Sequence, residues 1–157
     1  MAKFSKNLDE SLVQKVENFA ALAGLDQVME IKPIALLKTK KDIGVIVRGG
    51  ELTGIFTGNP DIVAVALYEP AFLRVDEETQ NLWIESLMAQ ISYDYEKDKI
   101  VISKPEINVP IGVYRKYGNV AAQKAELALM TIDQIAQEEE ELKQAAKEAK
   151  KANKKKK

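Results

Sequence analysis

The run from Ile62 to Tyr68 constrains the fold most, because it is apolar at nearly every position. A strand without polar positions is typical of the interior of a sheet that is covered on both faces. Two further segments with strand-like composition precede it, at residues 34–39 and 43–56, and turn-forming residues separate the three. We therefore predict a small sheet with the strand from Ile62 to Tyr68 in its middle.

Helical periodicity appears on both sides of these strands. From Leu8 onward, apolar residues recur at spacings of three and four, and Gly24 follows where a helix would end. A central helix is predicted over residues 76–91, with Asp76 as its N-cap and acidic side chains in its first turn. Residues at spacings 0, 3, 4 and 7 define its predicted buried face, namely Ile84, Leu87, Met88 and Ile91.

The second half of the chain adds a charged hairpin and two more helices. Residues 93–102 are predicted to form a hairpin, and Pro110 and Gly118 bracket a short helix. A longer helix begins near Val120 and carries one apolar stripe, made of Ala125, Ala128, Leu129, Ile132, Ile135 and Ala136. The pattern predicts an α+β fold with a small mixed or antiparallel sheet, an N-terminal helix, a central helix and a long C-terminal helix.

Charge divides the chain into two parts. Residues 1–137 contain 15 Lys and Arg against 19 Asp and Glu, whereas residues 138–157 contain eight Lys against five Glu. We predict a single α+β domain over residues 1–137, followed at 138–157 by a charged helical extension and a disordered lysine-rich tail. The positive tail favours weak, salt-sensitive contact with nucleic acid, through Lys150, Lys151, Lys154, Lys155, Lys156 and Lys157.

Composition excludes several classes of chemistry. The chain has no Cys and no His, so disulfides, thiolate ligands, the commonest general base and the main zinc ligand are all missing. We expect no catalytic residue, no bound metal and no cofactor. No apolar run approaches the roughly 20 residues that span a bilayer, and residues 1–10 lack the apolar core of an export signal. The expected location is therefore the cytoplasm, without membrane contact.

Two stretches carry a resemblance to a known family. These are "GNPDIVAVALYEPAFLRVDEETQNLWIESLMAQISYD" at residues 58–94 and "KPEINVPIGVYRKYGN" at residues 104–119. Their layout resembles that of the phage metallopeptidases, a small zincin-like family. In that family a buried strand leads into "L-x-x-E-x-x-x-A-L-L-x-H-E-L-x-H", and a later segment ends a helix with "R-x-Y-G". The resemblance implies that residues 76–91 correspond to a former zincin active-site helix.

The zinc-binding residues of that family are missing here. The family's two histidines lie one helical turn apart and hold one zinc ion, and the glutamate between them polarises a water molecule. Ser86 and Gln90 stand at the two histidine positions and Leu87 at the glutamate position, while Glu106 lies where a third ligand is expected. Ser and Gln are weak zinc ligands, and Leu takes no proton. An alternative interpretation makes Ser86 and Gln90 simply the solvated side of an amphipathic helix.

The resulting expectation is a non-catalytic phage or prophage accessory protein, either protein-binding or structural, on a degenerate metallopeptidase-like fold. Its expected partner is another phage or host protein, and its expected place is the bacterial host cell or the virion. One alternative is an accessory protein that uses the lysine-rich tail on nucleic acid. A second is a hydrolase with a metal held by carboxylates such as Glu85, Asp94 and Glu106. The oligomeric state stays open.

Overall fold

A computed structural model describes residues 3–48, 62–104 and 110–156 of the chain. The helices and strands, in chain order, are β1 (Phe4–Ser5), α1 (Glu10–Leu22), β2 (Glu30–Leu36), β3 (Gly44–Arg48), β4 (Ile62–Leu67), α2 (Glu69–Phe72), α3 (Glu77–Met88), β5 (Ile91–Asp94), β6 (Lys99–Ile102), α4 (Ile111–Tyr117) and α5 (Asn119–Lys155). A short 3₁₀ turn, Leu25–Gln27, connects α1 to β2. The predicted α+β class is confirmed.

Strand β4 occupies the interior of the main sheet, as its continuous apolar run predicts. The strand order is β1-β2-β4-β3, so the sheet is mixed: β4 is parallel to β2 and antiparallel to β3. All six residues of β4 are buried. Burial on both faces explains why this strand has no polar position, since any polar side chain there would need a partner inside the core.

Helix α1 begins and ends where local chemistry predicts. The Asp9 carboxylate accepts the Ser11 backbone N–H at 3.0 Å and caps the first turn. After the helix ends, Gly24 adopts a left-handed φ of 71°, which glycine tolerates without a Cβ clash. The helix buries Leu12, Val16 and Ala20 against α3 and β2.

Helix α3 lies at the centre of the core. Asp76 accepts the Thr79 backbone N–H at 2.9 Å, which confirms the predicted N-cap. Ile84, Leu87 and Met88 of the predicted face are buried, and Leu82 and Trp83 extend that face. The predicted continuation of the helix to Ile91 is wrong, because α3 ends at Met88 and Ile91 is buried as the first residue of β5, paired with Ile102. The Trp83 indole packs edge-to-face on Phe72 at 5.3 Å between ring centroids and donates Nε1–H to the Lys124 carbonyl at 2.8 Å. Trp83 thereby ties α3 to both α2 and α5.

The predicted hairpin forms a second, two-stranded sheet. Strands β5 and β6 pair antiparallel, and the Ser103 N–H donates to the Gln90 carbonyl just beyond them. In the turn, the Asp94 carboxylate accepts the backbone N–H groups of Glu96 and Lys97 at 3.0 and 3.2 Å. Arg48 donates to the Ile100 carbonyl at 2.6 Å and so connects the two sheets.

The two last helices are confirmed, but the buried stripe of α5 differs from the prediction. Leu129 and Ala136 are exposed, while Ala121 and Thr131 are buried together with Ala128, Ile132 and Ile135. Thr131 avoids an unpaired buried hydroxyl because it donates to the Leu127 carbonyl one turn earlier, at 2.7 Å. Thr131 is therefore buried although the predicted stripe omits it, and Leu129, which the stripe includes, is exposed.

Helix α5 contains 37 residues, which corresponds to a length of about 55 Å. From Ala136 to Lys156 every described residue is exposed. The helix continues to Lys155, so the structure has helix in most of the lysine-rich segment for which disorder is predicted, and fraying of this end in solution stays a prediction. Within the described residues, no helix combines the length and apolarity required to cross a membrane.

Candidate functional site

A cavity of about 610 Å³ lies between β3, α3 and α5. Its apolar lining includes Val45 and Ile46 from β3, Leu82 and Trp83 from α3, and Ala128 from α5. Ser86, Leu87 and Gln90, at the positions of the missing zinc motif, also line it. The volume falls within the range of small-ligand sites, which are mostly apolar with a few polar groups.

Ser86 and Gln90 supply the polar groups of the inner wall. The Ser86 hydroxyl oxygen is buried and has no hydrogen-bond partner among the described residues. Gln90 lies one turn further along α3, and its amide nitrogen makes a long 3.4 Å contact with the Ser86 carbonyl. Both residues are half-buried. The alternative that places them on the solvated side of the helix is therefore wrong for the Ser86 hydroxyl and stays open for Gln90. A buried hydroxyl without a partner is unusual, because its desolvation is not compensated.

Leu87 packs between α3 and the main sheet. It is 6% exposed, and it faces Gly44 at the start of β3. A Cβ on Gly44 would lie 2.5 Å from Leu87 Cδ1 and 2.9 Å from the Ala66 carbonyl oxygen. The absence of a side chain on Gly44 thus permits α3 to approach the sheet closely. The residue at the family's glutamate position is here a packing residue.

Glu85 precedes Ser86 in the sequence, and its side chain binds two residues of α4. Its carboxylate accepts the Lys116 ammonium at 2.9 Å and the Tyr117 hydroxyl at 2.6 Å. The hydrogen bond to Glu85 raises the pKa of Tyr117 above its ordinary value, with burial adding to the effect, and the same carboxylate raises the pKa of Lys116. Both oxygens of Glu85 are therefore already occupied by donors.

The alternative of a metal ion held by three carboxylates has no site among the residues that the structure describes. Asp94 caps the hairpin turn, Glu85 binds α4, and Glu106 lies outside the described residues. Across residues 3–48, 62–104 and 110–156, no group of three or more Asp or Glu side chains is placed to hold a metal ion.

The rim of the cavity carries balanced charge. Lys41, Asp42, Lys104 and Glu126 lie around it, and all four are exposed. Two positive and two negative groups give the rim no net charge among the described residues. Such a rim gives no electrostatic preference for a strongly charged ligand. With its apolar walls and the Ser86 and Gln90 side chains, the cavity suits an apolar group that carries an uncharged hydrogen-bonding group.

A second exposed feature begins where α5 leaves the body. Arg74 donates to both carboxylate oxygens of Glu138, at 3.1 and 2.6 Å, and this hydrogen bonding lowers the pKa of Glu138. Beyond this pair, Lys150, Lys151, Lys154, Lys155 and Lys156 are all exposed, and Lys157 lies outside the described residues. The structure thus leaves the predicted tail contacts accessible.

Comparison with protein-family models, with curated proteins and with solved structures gives no match. The resemblance to the phage metallopeptidases accordingly stays a prediction that rests on the residues quoted above.

Sequence reasoning found three cavity residues and missed the rest of the site. Trp83 could have been identified from the sequence. It is the single Trp of the chain, and it lies on a helix that is predicted to be buried. Asp42, Gly44 and Glu126 gave no such signal, because they lie in segments far apart in the sequence and meet only in the fold.

Proposed function

We propose that this chain is a non-catalytic binding protein, and that the cavity between β3, α3 and α5 receives an apolar segment of a partner protein. The observation that supports this most directly is the buried Ser86 hydroxyl, which has no partner within residues 3–48, 62–104 and 110–156 and lies beside Gln90 in a mostly apolar wall. A partner group that hydrogen-bonds these two side chains would compensate the desolvated hydroxyl. Following the resemblance, the protein would be a phage or prophage accessory protein on a degenerate metallopeptidase-like fold.

The chemistry of the described lining supports binding over catalysis. A serine nucleophile needs a neighbouring base, and no described residue makes such a hydrogen bond to Ser86. At the glutamate position, Leu87 is engaged in packing against Gly44.

The test is capture of partners by the tagged full-length chain from cells that express its native neighbours, with and without nuclease, followed by mass spectrometry. We expect a stoichiometric protein partner that survives nuclease treatment. Replacing Gln90 by Met keeps the side-chain length but removes the amide, and replacing Ser86 by Met partly fills the cavity. Each substitution should reduce partner recovery about tenfold, which corresponds to roughly 1.4 kcal/mol of binding free energy.

Gln134→Met is the matched control, because Gln134 is exposed on α5 and does not line the cavity. It should leave recovery unchanged. Equal recovery with Gln90→Met and Gln134→Met would remove the cavity from the proposal. A peptidase activity of the purified chain that chelators abolish and Glu106→Ala removes would contradict the non-catalytic assignment. Recovery of nucleic acid alone would favour the lysine-rich tail as the functional element.

A further inference from the structure

The C-terminal extension, defined here as residues 138–156, is helical to Lys155 and exposed along its whole length. From Leu142 to Lys156 it contains seven lysines and a single glutamate, Glu148. None of these lysines forms an ion pair with another of the described residues. The distal part of the extension is therefore a strongly positive rod that the rest of the described chain does not neutralise.

Five of the lysines lie on one side of the helix, within a sector of roughly 100° at about 100° per residue. We name them the lysine face: Lys143, Lys147, Lys150, Lys151 and Lys154. Between residues 142 and 156 that sector holds no other residue, and Lys155 and Lys156 lie outside it. The lysine face therefore presents only positive charge over roughly 16 Å of helix.

The glutamates of the extension compensate only part of this face. Side chains three or four residues apart on a helix are neighbours, and carboxylates stand at these spacings from Lys143 and Lys151 alone. The remaining members of the lysine face have no carboxylate at either spacing, namely Lys147, Lys150 and Lys154. Their neighbours at those spacings include other lysines, which repel them. An anionic partner would relieve this repulsion.

We propose that the lysine face binds the phosphate backbone of duplex DNA, without base specificity. Each strand of B-DNA presents one phosphate per ~3.4 Å of helix axis, so five lysines over roughly 16 Å match the charge of about five phosphates. The major groove is ~12 Å wide and admits an α-helix, whereas the major groove of duplex RNA is too narrow. Lysine contacts to phosphates fix a protein on the duplex but do not select a sequence.

The rest of the extension favours duplex DNA over other anionic partners. Opposite the lysine face lie the small residues Ala145, Ala149 and Ala152, and Leu142 is the single bulky apolar residue of the extension. A helix that binds an anionic membrane needs bulky apolar side chains on that side, and a protein interface needs anchoring residues such as Trp, Tyr or Arg. The extension has no aromatic residue on which single-stranded bases could stack.

The length of the extension separates the lysine face from the negative body. Residues 1–137 contain 15 Lys and Arg against 19 Asp and Glu, which repel DNA. Lys147 and Lys154 lie about 14 and 24 Å beyond Glu138 along the helix axis, farther than the Debye length of ~10 Å at 0.1 M salt. Glu140 lies in the sector of the lysine face, one turn before Lys143. We therefore expect the DNA contact to end there.

The test is fluorescence anisotropy of a labelled DNA duplex of about 20 base pairs, titrated with the full-length chain that has been freed of nucleic acid, from about 20 to 200 mM salt. We expect a dissociation constant in the micromolar range at about 50 mM salt. The logarithm of the affinity should fall with the logarithm of the salt concentration with a slope between about −3 and −4.5, for three to five phosphates. Duplexes of different sequence should bind equally. No binding at about 100 µM chain in the lowest salt overturns the proposal.

A rearranged variant separates the lysine face from net charge. It exchanges two lysines of the face with two alanines of the opposite side, as Ala145→Lys, Lys147→Ala, Ala149→Lys and Lys150→Ala. Composition and net charge stay the same, and Ala and Lys are both good helix formers. The affinity at about 50 mM salt should fall at least tenfold, and the salt slope should weaken by about two, because two phosphate contacts are lost. Equal affinity would show that net charge alone matters and would overturn the lysine face.

The matched control is Ala152→Lys with Lys155→Ala, which moves one lysine between two positions outside the lysine face. Its affinity should stay within about twofold of wild type. Glu140→Gln removes the carboxylate from the sector of the face and should raise the affinity severalfold; a weaker complex would contradict the placement of the DNA. Ellipticity at 222 nm, measured for every variant, should equal that of wild type, so that loss of helix does not explain the result.

Three other anionic probes test the choice of duplex DNA: duplex RNA and single-stranded DNA of the same length, and vesicles of phosphatidylcholine and phosphatidylserine. Each should bind more weakly than the DNA duplex at equal salt. Tighter binding of any of them overturns the assignment to duplex DNA. The proposal is independent of the cavity between β3, α3 and α5. Gln90→Met, which should reduce partner capture, should leave the affinity for the duplex unchanged, so the two proposals fail separately.

Discussion

Both halves of α5 are helical, but different interactions stabilise the helix in each half. Between Asn119 and Ile135 the helix buries a stripe against the body and supplies the Lys124 carbonyl to the Trp83 indole. From Glu138 to Lys155 it is exposed on every side. The first half is stabilised by tertiary packing. The second half is stabilised by helix propensity and by continuity with a helix that is already formed, so that no new nucleation is needed.

Arg74 and Glu138 mark the junction between these halves. Their bidentate contact is the last ion pair that the described residues make between the body and α5. Because both side chains are substantially exposed, the contact positions the helix more than it stabilises the fold. The junction lies beside the predicted division at residue 137, and the independence of the two parts stays a prediction that the variants below examine.

The largest effect is expected from the Trp83→Ala substitution. It removes a side chain that is 2% exposed, its edge-to-face contact with Phe72 and its hydrogen bond to α5. Large-to-small changes of this kind lower the free energy of unfolding by about 3–5 kcal/mol. The measurement is urea unfolding followed by circular dichroism. Leu142→Ala, in the exposed half of α5, is the control and should stay within about 0.5 kcal/mol of wild type.

Gly44→Ala should have the next largest effect. The added methyl group would lie within 3 Å of both Leu87 Cδ1 and the Ala66 carbonyl oxygen, so overpacking should lower the free energy of unfolding by about 1–3 kcal/mol. A double-mutant cycle with Leu87→Ala separates the two contacts. Gly44→Ala should be less destabilising in the Leu87→Ala background, while the remaining clash with the Ala66 carbonyl oxygen prevents full relief. Strict additivity would show that Leu87 is not the neighbour that restricts residue 44.

Local signals in the sequence predicted the elements of the fold well. The interior position of β4, the Asp76 cap and the ends of α1 and α4 at Gly24 and Gly118 each follow from chemistry within a few neighbouring residues. The stripe of α5 was predicted less well. Leu129 is exposed and Thr131 is buried, because the elements that face a helix decide which of its sides is buried. Thr131 tolerates burial because its hydroxyl donates a hydrogen bond to a carbonyl in the preceding turn.

The cavity shows where sequence reasoning stops. Asp42, Ser86 and Glu126 come from three separate segments, and their proximity is a property of how α3 packs between the sheet and α5. The unpartnered Ser86 hydroxyl has no local signature either, since a serine on an amphipathic helix is usually solvated. The change from a glutamate-rich start to a lysine-rich end between residues 138 and 156 is, by contrast, readable in the sequence. The structure adds that this segment is helical and exposed on every side.

Truncation after Gln137 should have a much smaller effect on the body than either core substitution. The described part of the removed segment, residues 138–156, contributes one surface ion pair and no buried side chain. We expect the free energy of unfolding of the monomer to change by less than about 0.5 kcal/mol, while ellipticity at 222 nm falls with the loss of the exposed helix. A large loss of stability would contradict the division at residue 137.

The smallest effect expected is the pH dependence of the Asp76 cap. The hydrogen bond from Thr79 holds the pKa of Asp76 below its ordinary value of 3.8 in the folded chain. The stabilisation from its charge is therefore fully present above that ordinary value and is lost as the pH falls through the lowered folded value. Asp76→Asn keeps an N-capping side chain but does not titrate. The urea midpoint of wild type should exceed that of Asp76→Asn at pH 6, and the difference should shrink toward pH 3. A difference for Asp76→Asn that is constant with pH would mean that the cap acts through its hydrogen bond alone.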